Sequence, residues 1–241
     1  MRALLLSFLL FVPSFAPAQN ADQIIHDYIH FIGGEKKWKK VKTIVSKGEY
    51  DYGGIVFPFT TYAKAPNLYK FVVPFNGKYY AQGYDGTKGW MIDAFKNETK
   101  PTLLEGKAAQ AMANEADVEL ENPFIDYKAK GHQVKLEGID TLENKIYYKV
   151  SLLKNSGQIE NYYFDAVTHA LYLKTAIAKN AELQGALLHT YFSEYKNVEG
   201  LNIPFKQISK VGDQTILTIM VKEVILNTAI SDDEFKMMKV D

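Results

Sequence analysis

The chain has 241 residues, with 28 basic and 28 acidic side chains and no cysteine. That balance gives no electrostatic footprint for nucleic acid and no polybasic attachment to an anionic membrane. Arg2 is the sole arginine, so beyond residue 2 the chain lacks the guanidinium fork that usually grips phosphate or carboxylate.

Residues 1–18, MRALLLSFLLFVPSFAPA, place one basic residue before an apolar run from Ala3 to Val12 and end in Ala16-Pro17-Ala18. This is the layout of a cleaved secretory signal, and the run falls short of the roughly 20 apolar residues that a spanning helix needs. With no cysteine at the cut to carry a lipid, the sequence predicts an exported, soluble, unlipidated periplasmic protein. The remainder, 19–241, reads as a single domain, and no repeat or Pro/Ser-rich linker divides it. Its core must hold without disulfides, for which the aromatic content of the chain, 16 Tyr and 14 Phe with three of the Phe in residues 1–18, is ample.

Asn20 or Asp22 caps a helix that runs to about Ile32, where Gly33-Gly34 ends it. Ile24, Ile25, Tyr28, Ile29 and Ile32 fall on one face of it. His26 and His30 stand at i, i+4, a spacing that can ligate zinc. Asp27 sits where the metalloprotease motif requires Glu, and no third ligand is evident, so two surface histidines are the better reading. His132, His169 and His189 lie singly in strand patterns.

From Val41 the punctuation is that of a β meander, with turns at Gly53-Gly54, Pro66-Asn67, Asn76-Gly77 and Asp85-Gly86 between apolar runs. The pattern breaks near Thr99. Residues 104–118, rich in Ala and Glu, predict a second helix with Leu104, Ala108, Ala111 and Met112 as its apolar stripe. Strands resume after Asn122-Pro123, and SDDEF near the end predicts a short helical turn capped by Ser231. Roughly a dozen strands broken once by a helix predict a mainly β protein with α: one large curved antiparallel sheet, nearly closed, whose concave face the two helices fill.

Some strands are apolar on both faces. In LYKFVVPF, Tyr69, Phe71, Val73 and Phe75 share one side, and Leu68, Val72 and Pro74 share the other. Either helices and loops cover the second face, or it lines a cavity. The aromatic stretch from Tyr62 to Phe95 is the best candidate for ligand contact, and plain core is its competing explanation. There is no G-x-S-x-G elbow, phosphate loop or nucleotide fingerprint. Asp85 and Asp93 bracket Trp90 as acids do around sugars, but Asp85 is better explained as a turn residue.

Four segments carry a family resemblance: Gly48-Glu49-Tyr50 in the first strand, Tyr62 to Lys70 (YAKAPNLYK), Gly83 to Trp90 (GYDGTKGW) and Tyr195 to Phe205 (YKNVEGLNIPF). With the signal and the opening helix, they make the chain resemble exported LolA-like outer-membrane lipoprotein-sorting proteins, particularly Bacteroidetes-type members. The resemblance implies an unclosed β-barrel with helices as a lid over an apolar cavity. In the type members that cavity takes lipoprotein acyl chains, passed from an inner-membrane donor to an outer-membrane acceptor. Those proteins hold the lid with a barrel arginine, and here Lys47, Lys64 and Lys70 are the candidate substitutes. The expected cavity residues are Tyr62, Phe71, Trp90, Met91 and Tyr148, and the expected lid residues are Ile25, Ile29, Ala108 and Met112. The resulting function is a carrier for acyl chains or another lipidic ligand, without metal, cofactor or catalytic residues. The alternatives are a ligand-sensing envelope regulator that acts through a protein partner, and a carboxylate-dependent hydrolase.

Overall fold

The computed structural model describes residues 20–106, 108–109, 112–113, 116, 122–178, 183 and 185–238. The expected signal segment lies outside them.

Helix α1 (Ala21–Phe31) begins where the Asn20 side chain accepts from the Gln23 N–H at 2.8 Å, with Asp22 favourable in the first turn. Helix α2 (Glu35–Trp38) is a single turn that follows Gly33-Gly34. The strands are β1 (Thr43–Tyr52), β2 (Ile55–Lys64), β3 (Leu68–Phe75), β4 (Lys78–Tyr84), β5 (Gly89–Asp93), β6 (Thr102–Leu103), β7 (Gln133–Leu142), β8 (Lys145–Leu153), β9 (Ile159–Asp165), β10 (Leu171–Ile177), β11 (Leu187–Val198), β12 (Leu201–Val211) and β13 (Gln214–Leu226). They form one antiparallel sheet in the order β6-β5-β4-β3-β2-β1-β13-β12-β11-β10-β9-β8-β7. The end strands β6 and β7 do not pair, so the barrel stays unclosed. Register shifts at Lys47/Gly48, Leu136/Gly138, Leu171/Leu173 and Ser209/Lys210 supply the local bends that curl such a sheet.

Two helical segments cover one face, here called the inner face. On the β7–β10 half, Ile24, Ile25 and Tyr28 of α1 and its C-cap Ile32 pack with Phe124 against Val150, Leu152, Tyr162 and Phe164. On the β1–β5 half, the described residues at 106, 108, 109, 112, 113 and 116 are helical, and Met112 and Ala116 pack against Phe59, Tyr69, Phe71 and Val73. The rest of the predicted second helix, Ala111 included, falls outside the described residues.

The turn between β11 and β12 bolts down the C-terminal end of α1. The Asn202 side-chain amide donates to the Phe31 carbonyl at 2.6 Å, its N–H donates to the Ile32 carbonyl at 3.1 Å, and the Trp38 indole donates to Ile32 at 3.0 Å. Gly33, at φ +112°, sits so close that a Cβ would lie 2.4 Å from the Gly200 carbonyl oxygen. Gly33→Ala is therefore expected to destabilise the fold by at least the 1–3 kcal/mol or so that a strained backbone costs. Urea unfolding should show the loss, and an unchanged midpoint would overturn this account of the junction.

The outer face of β2–β5 is covered as well, by the chain after β13. Asp232–Phe235 forms the expected turn, with Ser231 accepting from the Asp233 N–H. Lys64 pairs with Asp232, and Lys70 pairs with Glu234 at 2.7 Å. The Trp90 indole donates to the Phe235 carbonyl at 2.8 Å. The two-sided apolarity of β3 thus has two answers: Tyr69, Phe71 and Val73 lie under the helical residues near Met112, and Val72 packs outward with Ala81, Trp90, Ile92 and Met238.

Candidate functional site

Residues directly opposite one another across an antiparallel ladder share a face, so register assigns the inner surface. One row runs Met91, Gln82, Phe71, Thr61 and Ser46. Another runs Phe57, Tyr50, Ile219, Gln207 and Phe192. A third runs Leu217, Ser209, Thr190, Lys174, Tyr162, Val150 and Leu136.

Of the predicted cavity residues, Phe71, Met91 and Tyr148 lie on this inner face, Phe71 and Met91 in one half and Tyr148 in the half under α1. Tyr62 and Trp90 do not. The row Tyr62, Lys70, Gly83, Trp90 belongs to the outer face. The Trp90 ring lies across Gly83, where a Cβ would come within 2.6 Å of it, and the C-terminal segment seals it completely. Strand parity separates Trp90 from its neighbour Met91, which the aromatic stretch read as a unit could not show. Ile25 is buried and Ile29 partly buried against the sheet, Met112 is buried in the other half, and Ala108 is exposed.

The inner face has two apolar flanks and a polar middle. Near the end where β1 turns into β2, Phe57, Phe75, Phe95 and Tyr80 form a contiguous aromatic cluster with ring centroids 5.0–5.7 Å apart. Phe71 joins it through Tyr50 and Tyr80. The rim of that end exposes Tyr52, Ile55 and Phe95 beside this cluster, while Val56, Tyr79, Leu153, Ile159, Ile177 and Leu187, exposed at the same end, belong by register to the outer face. Sequence reasoning missed this rim, because its residues come from separate hairpin tips and only the topology brings them to one end.

The polar middle contains Thr190 and Ser209, both buried, with their hydroxyls 3.2 Å apart. Across β10 from them Glu160 is buried, with Lys154 and Gln158 donating to one carboxylate oxygen at 2.9 and 2.8 Å and the Tyr162 hydroxyl donating to the other. Burial pushes the Glu160 pKa up, but the Lys174 charge, the Tyr162 hydrogen bond and Lys154 outweigh it and hold the carboxyl below its ordinary value. Lys174 itself is half-buried.

The remaining candidates have structural work. Asp85 accepts from the Thr87 and Lys88 N–H groups and the Thr87 hydroxyl, closing its turn, and Asp93 caps the helical turn Ala94–Lys96. His26 reaches Asp27, and no group of three His, Cys, Asp or Glu side chains suited to a metal occurs among the described residues. Lys47 pairs across strands with Glu223, while Lys64 and Lys70 hold the C-terminal segment. No helix among the described residues is long and apolar enough to cross a membrane.

No family model matches the sequence, and no curated protein matches it. Solved structures do match in fold. A LolA superfamily protein from Nitrosomonas europaea superposes at TM-score 0.58 and 11% identity, covering 91% of this chain and 98% of that one. A DUF1329 family protein from Desulfovibrio piger gives TM-score 0.58 at 13% identity, covering 88% and 95%. A domain described as an outer membrane lipoprotein-sorting protein, from Vibrio parahaemolyticus, gives 0.56 at 10%, covering 89% and 95%. At these identities the likeness establishes the architecture: the chain has a LolA-like fold.

Proposed function

We propose that this protein is a periplasmic binding or carrier protein for a lipidic ligand, whose acyl part lies along the aromatic flank of the inner face. The observation that carries this reading is the continuity of Phe71, Tyr50, Tyr80, Phe57 and Phe95 with an exposed apolar rim. A core built only for stability has no reason to continue into solvent, whereas an acyl chain needs an entry as well as a lining. Each buried methylene contributes about 0.8 kcal/mol, so a chain can be held by area alone without a catalytic group. The unclosed sheet with helices on its inner face is the architecture this reading requires, and the LolA-like neighbours support it. The acylated lipoprotein, the donor and the acceptor that the resemblance implies are the finer form of the same proposal.

Native mass spectrometry of the mature protein from a gently prepared periplasmic extract tests it. A discrete adduct, identified by organic extraction as a lipid or acyl-peptide, is the expected result. A clean apo mass that stays apo when lipids are added would overturn the carrier function.

A further inference from the structure

The charges on the inner face allow a narrower statement about the ligand. Register places Lys174 between Tyr162 and Thr190, in the polar middle that separates the two apolar flanks. Its neighbouring acid is already engaged: Glu160 accepts from Lys154, Gln158 and Tyr162. The Lys174 ammonium has no hydrogen bond or ion pair among the described residues, although it lies close enough to Glu160 to stabilise the carboxylate through space. Among the described residues, Lys154 and Lys174 against Glu160 leave this part of the face one positive charge in excess. Thr190 and Ser209, adjacent in the same row, add two hydroxyls. A half-buried ammonium whose nearby acid is already bonded to Lys154 is under-compensated, and an anion bound there would offset the cost.

Resting on the carrier reading above, we propose that Lys174, with the Thr190 and Ser209 hydroxyls, forms an anion subsite, so that the ligand is a lipid bearing a carboxylate or phosphate. The acyl chain then runs from this subsite across Gln207 and Ile219 toward Tyr50 and Phe57, the order in which the rows succeed one another across the sheet. A neutral acyl group leaves the ammonium unpaired and binds more weakly.

The test uses delipidated full-length mature protein and two chain-matched pairs in equilibrium dialysis: oleate against oleyl alcohol, and lysophosphatidate against monooleoylglycerol. The anionic member of at least one pair is expected to bind about tenfold more tightly than its neutral partner, as a charged hydrogen bond would give. Preference within the first pair alone identifies a fatty acid, and preference within the second alone identifies a phospholipid. Lys174→Met should abolish the preference and leave the neutral ligands unchanged, while Lys174→Arg should retain it. Lys210→Met, which removes the same charge from the outer face beside His189, should leave binding as it was. Equal binding of anionic and neutral ligands by the unmodified protein, a comparison that needs no variant, would overturn the anion subsite and leave the carrier function standing. Failure of all four ligands to bind would overturn both.

Discussion

Phe235→Ala is expected to lower the unfolding free energy by about 3–5 kcal/mol, the range for truncating a fully buried aromatic ring. Phe235 has no exposed surface, although it lies only six residues from the end of the chain. Its carbonyl receives the Trp90 indole, and its neighbour Glu234 pairs with Lys70, itself only 7% exposed. Further back, Lys64 donates to the Ile230 carbonyl at 2.6 Å and the Thr43 hydroxyl donates to Thr228 at 2.7 Å. Loosening the ring therefore also strands a buried ammonium and an indole N–H, each of which costs free energy when left unpaired. In a Trp38→Phe background, Trp90 is the sole tryptophan, and its emission should shift to longer wavelength as the segment lifts. A urea midpoint shift that, multiplied by the unchanged slope, amounts to less than about 1 kcal/mol would mean that this segment folds apart from the sheet.

The sheet was legible in the sequence because its turns are chemically marked: Asn-Gly, Asp-Gly and Glu-Gly pairs stand between apolar runs, and Asn76, Glu199, Gly77 and Gly200 adopt the positive φ that such turns demand. The segments that carried the family resemblance prove to be scaffolding. In Gly83 to Trp90, Gly83 makes room for the Trp90 ring, Asp85 closes the turn, and Gly89 lets Met112 approach. In Glu199 to Pro204, the turn and Asn202 anchor the end of α1. Motifs of this kind report a fold and say little about its ligand. The site was less legible. Composition could mark residues 62–95 as aromatic, but only strand parity separates Phe71 and Met91 from Tyr62 and Trp90. The covering of the outer face depends on a contact between Trp90 and Phe235, 145 residues apart, which no local pattern encodes. Lys174 and Glu160 were inconspicuous in a chain with 28 basic and 28 acidic residues. Their importance comes from burial and neighbours, which only the folded sheet supplies.

Glu160→Gln should cost about 3–5 kcal/mol at neutral pH, because it removes one partner of a buried ion pair and leaves Lys154 without its counter-charge. The pH dependence distinguishes this from a simple packing defect. The Glu160 carboxyl titrates below its ordinary value when folded, so its contribution is fully present above the ordinary carboxylate pKa of about 4.3 and disappears as pH falls through the lower folded value. The stability gap between wild type and Glu160→Gln should therefore be widest at pH 7 and narrow steadily below about pH 5. A gap independent of pH would show that the carboxylate charge contributes nothing and that shape alone is lost. Glu160→Leu combined with Lys154→Met should recover most of the loss, since replacing both members of a buried pair by apolar groups is commonly neutral or better. If the double variant stays as unstable as the single one, the hydrogen bonds from Gln158 and Tyr162 carry the stability at this point of the inner face, and the ion pair does not.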